Sequence, residues 1–162
     1  MGTRIVVTGI GIVSPIGLSA DTTWESLLAG RSGVDYISSF DPEPFETHIA
    51  AEVKGFEPTD FLDRKEARRM DRFVQFATVA SQEAVARAGL NMDKEEVERV
   101  SVMIGSGIGG IRTLSQELQV MLERGPLKVS PFLIPMMLGD MASGRVSIML
   151  GAKGPNYSAI SS

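Results

Sequence analysis

The chain has 162 residues, about one domain's worth, with 43% apolar and 22% charged residues, a composition that supports a buried core. Sixteen Lys and Arg against twenty Asp and Glu leave a net charge of −4, so no global basic field draws it to nucleic acid. Cysteine is absent, which excludes disulfides, thiolate metal sites and a cysteine nucleophile within these residues. His48 is the single histidine, so any zinc site or Ser-His-Asp triad would depend on one imidazole; set between Pro44 and Pro58, it reads as a partly exposed loop residue.

From Arg4 to Val13 runs a β-branched stretch without alternation, which predicts a strand buried on both faces of a parallel sheet. Ser14-Pro15-Ile16-Gly17 ends it. Thr22 precedes Glu25 at the capping-box spacing, which predicts a helix with Trp24, Leu27 and Leu28 as its apolar stripe and Gly30 as its stop. Residues 31–62, broken by Pro42, Pro44 and Pro58, read as an excursion over the surface holding a short strand near Ala50–Val53.

A single long helix is expected from Arg64 to Ala88, with Met70, Phe73, Val74, Ala77, Ala80, Ala84, Val85 and Ala88 on its packed face and Gly89 as its stop. Its many alanines imply close packing. Lys65, Arg68, Arg69 and Arg72, spaced i, i+3, i+4, i+7, share another face. Such a face is ordinarily just solvated, but four cations without an acid in the stripe, on an acidic protein, also suit docking of an anionic partner.

Arg99–Ile104 reads as a second buried strand leading into Gly105-Ser106-Gly107-Ile108-Gly109-Gly110. A helix follows with Ile111, Leu114, Leu118, Met121 and Leu122 inward, stopped by Gly125-Pro126. Ser130–Pro135 is a proline-bracketed extended segment. Asp140 is placed to cap a helix running to Leu150, with Gly151 ending it, and Gly154-Pro155 turns the chain into a third strand over Asn156–Ser162. Met136, Met137, Met141 and Met149 around Ile134 and Leu138 suit core filling or a flexible lining for a long aliphatic ligand. Strands alternating with helices give an α/β chain with a mostly parallel sheet.

Gly105-x-Gly107-x-x-Gly110 lies where a dinucleotide fingerprint belongs. That reading needs an acid about 20 residues on to hold a ribose, where this chain has Lys128-Val129-Ser130-Pro131. Gly9-x-Gly11-x-x-Ser14 has too many loop residues before its helix. Both read instead as glycine-rich turns made for close packing.

Together, Val6-Val7-Thr8-Gly9-Ile10-Gly11-Ile12-Val13-Ser14-Pro15-Ile16-Gly17, Trp24 with Gly30-Arg31-Ser32-Gly33, Asp71-Arg72-Phe73, Gly105-Ser106-Gly107-Ile108-Gly109-Gly110, Ser130-Pro131-Phe132-Leu133-Ile134-Pro135 and Gly154-Pro155-Asn156 resemble the β-ketoacyl-acyl carrier protein synthases, the long-chain elongating type II kind above all. The resemblance implies a thiolase-like α/β fold, two related halves in a layered αβαβα body, with residues 1–162 as the N-terminal half of a homodimeric condensing enzyme of fatty acid synthesis. It places the nucleophilic cysteine directly after Ser162 and the assisting histidines and lysine in a C-terminal half, so no catalytic residue falls within these 162.

The same resemblance implies an acyl pocket at Ile108, Leu133 and Ile134, with Leu133 reaching it across the dimer interface. It also implies docking of acyl carrier protein on Lys65, Arg68 and Arg69, and neither metal nor cofactor. Asp140 stands where the family usually has asparagine, and Arg145 where histidine or glutamine is common. Two other readings are a non-catalytic chain-length-factor partner of a polyketide ketosynthase and a nucleotide-binding module. Cysteine or glutamine after Ser162 separates enzyme from partner. No apolar run approaches the ~18 residues of a membrane span and the N-terminus lacks the regions of a signal peptide, so a cytoplasmic protein is expected.

Overall fold

The computed structural model describes residues 2–161. Its centre is a parallel pair, β3 (Val102–Ser106) with β4 (Asn156–Ile160), in a register that matches Val102 to Asn156 and Ser106 to Ile160. The helix α6 (Met141–Leu150) packs on both strands, and α3 (Arg72–Ala88) packs on α6. Met70, Val74 and Ala142 form the buried core there, with Leu62, Phe73, Ala77, Ile104 and Met141 against it. Ser143, fully buried, ties α6 to the first residue of β4: its hydroxyl donates to the Asn156 side-chain oxygen at 3.0 Å, and the Asn156 amide returns a bond to the Ser143 carbonyl at 2.9 Å.

The expected first strand does not form. Residues 4–13 hold no regular secondary structure and have no strand beside them, and Ile5 and Val7 are exposed. A β ladder needs a partner for its N–H and C=O groups, and among the described residues none lies along this segment. The glycines instead press it onto α3, where a Cβ on Gly11 would collide with the Ala80 carbonyl and one on Gly9 with that of Ala84. The alanines of that face are the other half of this close approach.

Helix α1 (Ala20–Leu28) begins three residues earlier than the sequence predicts. Ser19 is the N-cap and Thr22 its capping-box partner, so Thr22 sits inside the helix. Gly30, at φ 64°, follows its end as expected. Trp24, Leu27 and Leu28 are exposed, and the buried face is Thr23 and Ser26, whose hydroxyls bond Ser14 and the Ile16 carbonyl. Small hydroxyl residues let this helix lie close to the 14–17 turn.

In the 31–62 excursion, β2 (Ile49–Ala51) covers part of the expected strand and pairs antiparallel with β1 (Val34–Tyr36), which no periodicity signalled. The predicted long helix is broken: α2 (Arg64–Ala67) stops, and Asp71 caps a new helix, α3. Gly89, at φ 64°, ends α3 as expected. The break detaches Arg72 from the cationic stripe.

Strand β3 starts later than Arg99, after a 3₁₀ turn at Val97–Arg99, and Met103 on it is exposed, so it is not buried on both faces. On α4 (Ile111–Arg124), Ile111, Leu114, Leu118, Met121 and Leu122 face outward and Thr113 is the buried residue. Ser130–Pro135 is not extended but turns into α5 (Leu133–Met137). Pro135 falls within its first turn, where a missing N–H costs the helix nothing. Asp140 occupies the N-cap position of α6, yet its side chain makes no capping bond; its carbonyl accepts from Ser143 and Gly144 instead. Gly151 ends α6 at φ 65°. The final residue of the predicted third strand, Ser162, lies outside the described residues.

Candidate functional site

Parallel strands present ligands at their carboxyl ends, and here both ends open on one edge. Strand β3 runs into the glycine loop, whose turn is closed by the Gly109 N–H donating to the Ser106 hydroxyl at 2.9 Å. Ser161, just beyond β4, donates its N–H to the Ser106 carbonyl at 3.2 Å. The far wall is α5 and the residues after it. Gly110 N–H donates to the Met137 carbonyl at 3.0 Å, and any Cβ on Gly110 would collide with the Met136 carbonyl. Gly109 holds φ 86°, a conformation glycine tolerates. Ser158 donates to the carbonyls of Ile104 and Gly139, locking β4 between strand and wall.

Of the expected pocket residues, Ile108 stands on the glycine loop and is 66% exposed, Ile134 on α5 is 58% exposed, and Leu133 is half-buried. The Gly110–Met137 bond brings their two segments together, with Ile108 and Ile134 open to solvent. The methionines divide. Met141 packs on the core, and Met136 lines a polar cleft with Asp71, Arg72, Arg112 and Thr113.

The cations form a second feature. Lys65, Arg68 and Arg69 line a cleft of about 580 Å³ with Asp63, Arg64 and Phe132. Asp63 caps α2, accepting from the N–H groups of Lys65 and Glu66, and the Arg69 guanidinium lies 4.7 Å from the centre of the Phe132 ring. Among the described residues no carboxylate pairs with Lys65, Arg68 or Arg69. Arg72 is elsewhere: it donates to the Val53 carbonyl at 2.9 Å and sits over Phe76 and Phe56. Burial, with Arg112 nearby, lowers its pKa.

Sequence reasoning missed Phe132 as part of this cleft, because no helical spacing links it to residues 65–69. It also missed the ion pair of Arg145 with Glu66. His48 is half-buried, its Nε2 2.6 Å from the Phe45 carbonyl and its ring beside Tyr36, close to the loop role expected of it.

Residues 2–162 match the family described as beta-ketoacyl synthase, N-terminal domain. The chain belongs to the β-ketoacyl synthase family. It is 50% identical over 157 residues to the 3-oxoacyl-[acyl-carrier-protein] synthase 2 of Staphylococcus aureus strain COL, which covers 97% of this chain and 38% of that protein. Identity to the synthase of the same name from Synechocystis is 47% over 153 residues, 94% of this chain and 37% of the other. Among solved structures, the ishigamide ketosynthase/chain length factor superposes with a TM-score of 0.84 at 30% identity, over 96% of this chain and 39% of that one.

The β-ketoacyl synthase relationship fixes the fold as the thiolase-like α/β fold of ketosynthases. The chain spans well under half the length of the curated relatives it matches. No helix among the described residues is long and apolar enough to cross a membrane.

Proposed function

We propose that these residues are the N-terminal half of a 3-oxoacyl-[acyl carrier protein] synthase, a cytoplasmic homodimer that condenses malonyl-acyl carrier protein with an enzyme-bound acyl thioester. The observation that carries this reading is 50% identity to a synthase of that name across nearly the whole chain. In the proposal the residue after Ser162 is the nucleophilic cysteine, emerging at the carboxyl edge of β4 beside the glycine loop. A thiolate at a helix N-terminus has a lowered pKa and can take an acyl group from a carrier thioester. Loss of CO2 from the malonyl group then leaves a carbanion that attacks the acyl-enzyme carbonyl, forming the new C–C bond and releasing the thiolate.

This half contributes three things to that chemistry. The β3–β4 edge sets where the thiol emerges, Ile108, Leu133 and Ile134 line the acyl chain's path, and Lys65, Arg68 and Arg69 bind the acidic carrier. The test is a condensation assay on the full-length protein with acyl- and malonyl-carrier protein. Elongated product with one CO2 per turnover is expected. A folded protein that neither accepts an acyl group nor decarboxylates malonyl would contradict it.

A second reading, the chain-length-factor partner, draws on the likeness to the ishigamide ketosynthase/chain length factor. Glutamine at the position after Ser162 would favour it.

A further inference from the structure

Helix α2 lies between two clefts that share Asp63. On one side lie Lys65, Arg68, Arg69 and Phe132. On the other, a cleft of about 450 Å³ is lined by Phe61, Leu62, Met70, Ile148, Glu66 and Arg145. Glu66 belongs to the cationic turn, since it stands three residues before Arg69, whose N–H donates to the Glu66 carbonyl at 2.9 Å in the turn that follows α2. It does not pair there. Its carboxylate is held by Arg145, which reaches across from α6, and α6 is itself fixed to β4 through Ser143 and Asn156.

We propose that Arg145 is a positioning residue for carrier docking: by holding Glu66 in the far cleft, it keeps the one acid in the middle of this turn from neutralising Arg69, so that Asp63 stays the one carboxylate lining the cleft of Lys65, Arg68 and Arg69. The proposal rests on the docking reading above and adds the group that sets the charge of that surface. Asp63, the other acid on this segment, is engaged with two backbone N–H groups at the start of α2. Released from Arg145, Glu66 swings to Arg69 and subtracts a charge from the surface an acidic partner meets. The loss appears in association with the carrier and not in the bond-making steps.

The experiment uses the full-length protein with carrier-bound substrate at low salt. Arg145→Gln is expected to raise KM about two- to fivefold, the range of a modest exposed charge contact, with kcat unchanged and a shallower salt dependence of KM. Adding Glu66→Gln to that variant removes the acid and restores KM to the starting value, which a merely structural role for Arg145 would not do. Should Arg145→Gln fail to fold, Arg145→Met, which keeps an apolar stem in the cleft, gives the same reading. An unaltered KM in a folded Arg145 variant, or a raised KM that Glu66→Gln does not restore, overturns the proposal. Paired charge reversal of Lys65 and Arg68 serves as the control: if it leaves KM unchanged, the docking reading itself falls, whereas a raised KM there with none in the Arg145 variants removes only the present inference.

Discussion

Asp71 and Thr113 are joined by two hydrogen bonds on one carboxylate oxygen, from the Thr113 N–H at 2.9 Å and from its hydroxyl at 2.6 Å, and both residues are buried. The other oxygen caps α3 through the Phe73 N–H. One side chain therefore ends the run of residues 64–71, starts α3 and fixes the first turn of α4, the helix that follows the glycine loop. Asp71→Ala would leave the Thr113 groups unsatisfied in a buried place. A loss of about 2–4 kcal/mol is expected, read as a lower urea midpoint at constant m-value. Thr113→Val should cost less, and the two losses should be clearly non-additive. Additive losses would mean that the pair does not couple the helices.

Glu83 is the staple between the N-terminal segment and the helices. Its carboxylate accepts from the N–H groups of Ile12 and Ala20 at 2.9 Å and from Arg87 at 3.0 Å. Burial works to raise its pKa, but the Ile12 and Ala20 N–H groups and Arg87 together outweigh it and leave the carboxyl below the ordinary glutamate range. A group with a depressed folded pKa contributes stability above its unfolded pKa and loses it as pH falls through the folded one. Wild-type stability should thus decline on acidification below about pH 4.3, and Glu83→Gln should be less stable at neutral pH with a flatter acid limb. Parallel pH profiles for the two proteins would remove Glu83 from this role.

The sequence carried the helix ends well, because glycine stops are local: Gly30, Gly89 and Gly151 all take positive φ where the pattern asked for a stop. It carried β4 and the helix before it for the same reason. It misled on which faces are buried. Trp24, Leu27 and Leu28, and the whole apolar row of α4, are exposed, while hydroxyl residues Thr23, Ser26 and Thr113 are buried by bonds that apolar periodicity does not register. The break at Asp71 was hidden because its cause, Thr113, lies 42 residues away. Of the cationic stripe, three members share a cleft and Arg72 does not, a division that depends on that same break.

Reversing the charges of Lys65 and Arg68 tests the docking surface. Each exposed contact is modest, roughly 0.2–1 kcal/mol, but a cluster also steers association. The expected outcome is a higher KM for carrier-bound substrate and a weaker dependence of KM on salt, with a smaller effect on a short carrier-free thioester. Equal losses on both substrates would mark the cations as structural.

Ile108 projects from the loop whose glycines let it approach α5 closely. In the full-length protein, Ile108→Phe should fill volume in the acyl path and shift preference toward shorter chains. The check is the ratio of kcat/KM for short and long acyl-carrier substrates. An unchanged ratio in a folded variant would place Ile108 outside that path.

In the proposed synthase, the β3–β4 edge delivers the nucleophile directly after Ser162. The most direct measurement is peptide mapping by mass spectrometry of the full-length protein after incubation with acyl-carrier protein and no malonyl donor. The expected result is an acyl mass increment on the residue that follows Ser162, removed by hydroxylamine as a thioester should be. An increment on any other residue would contradict the account.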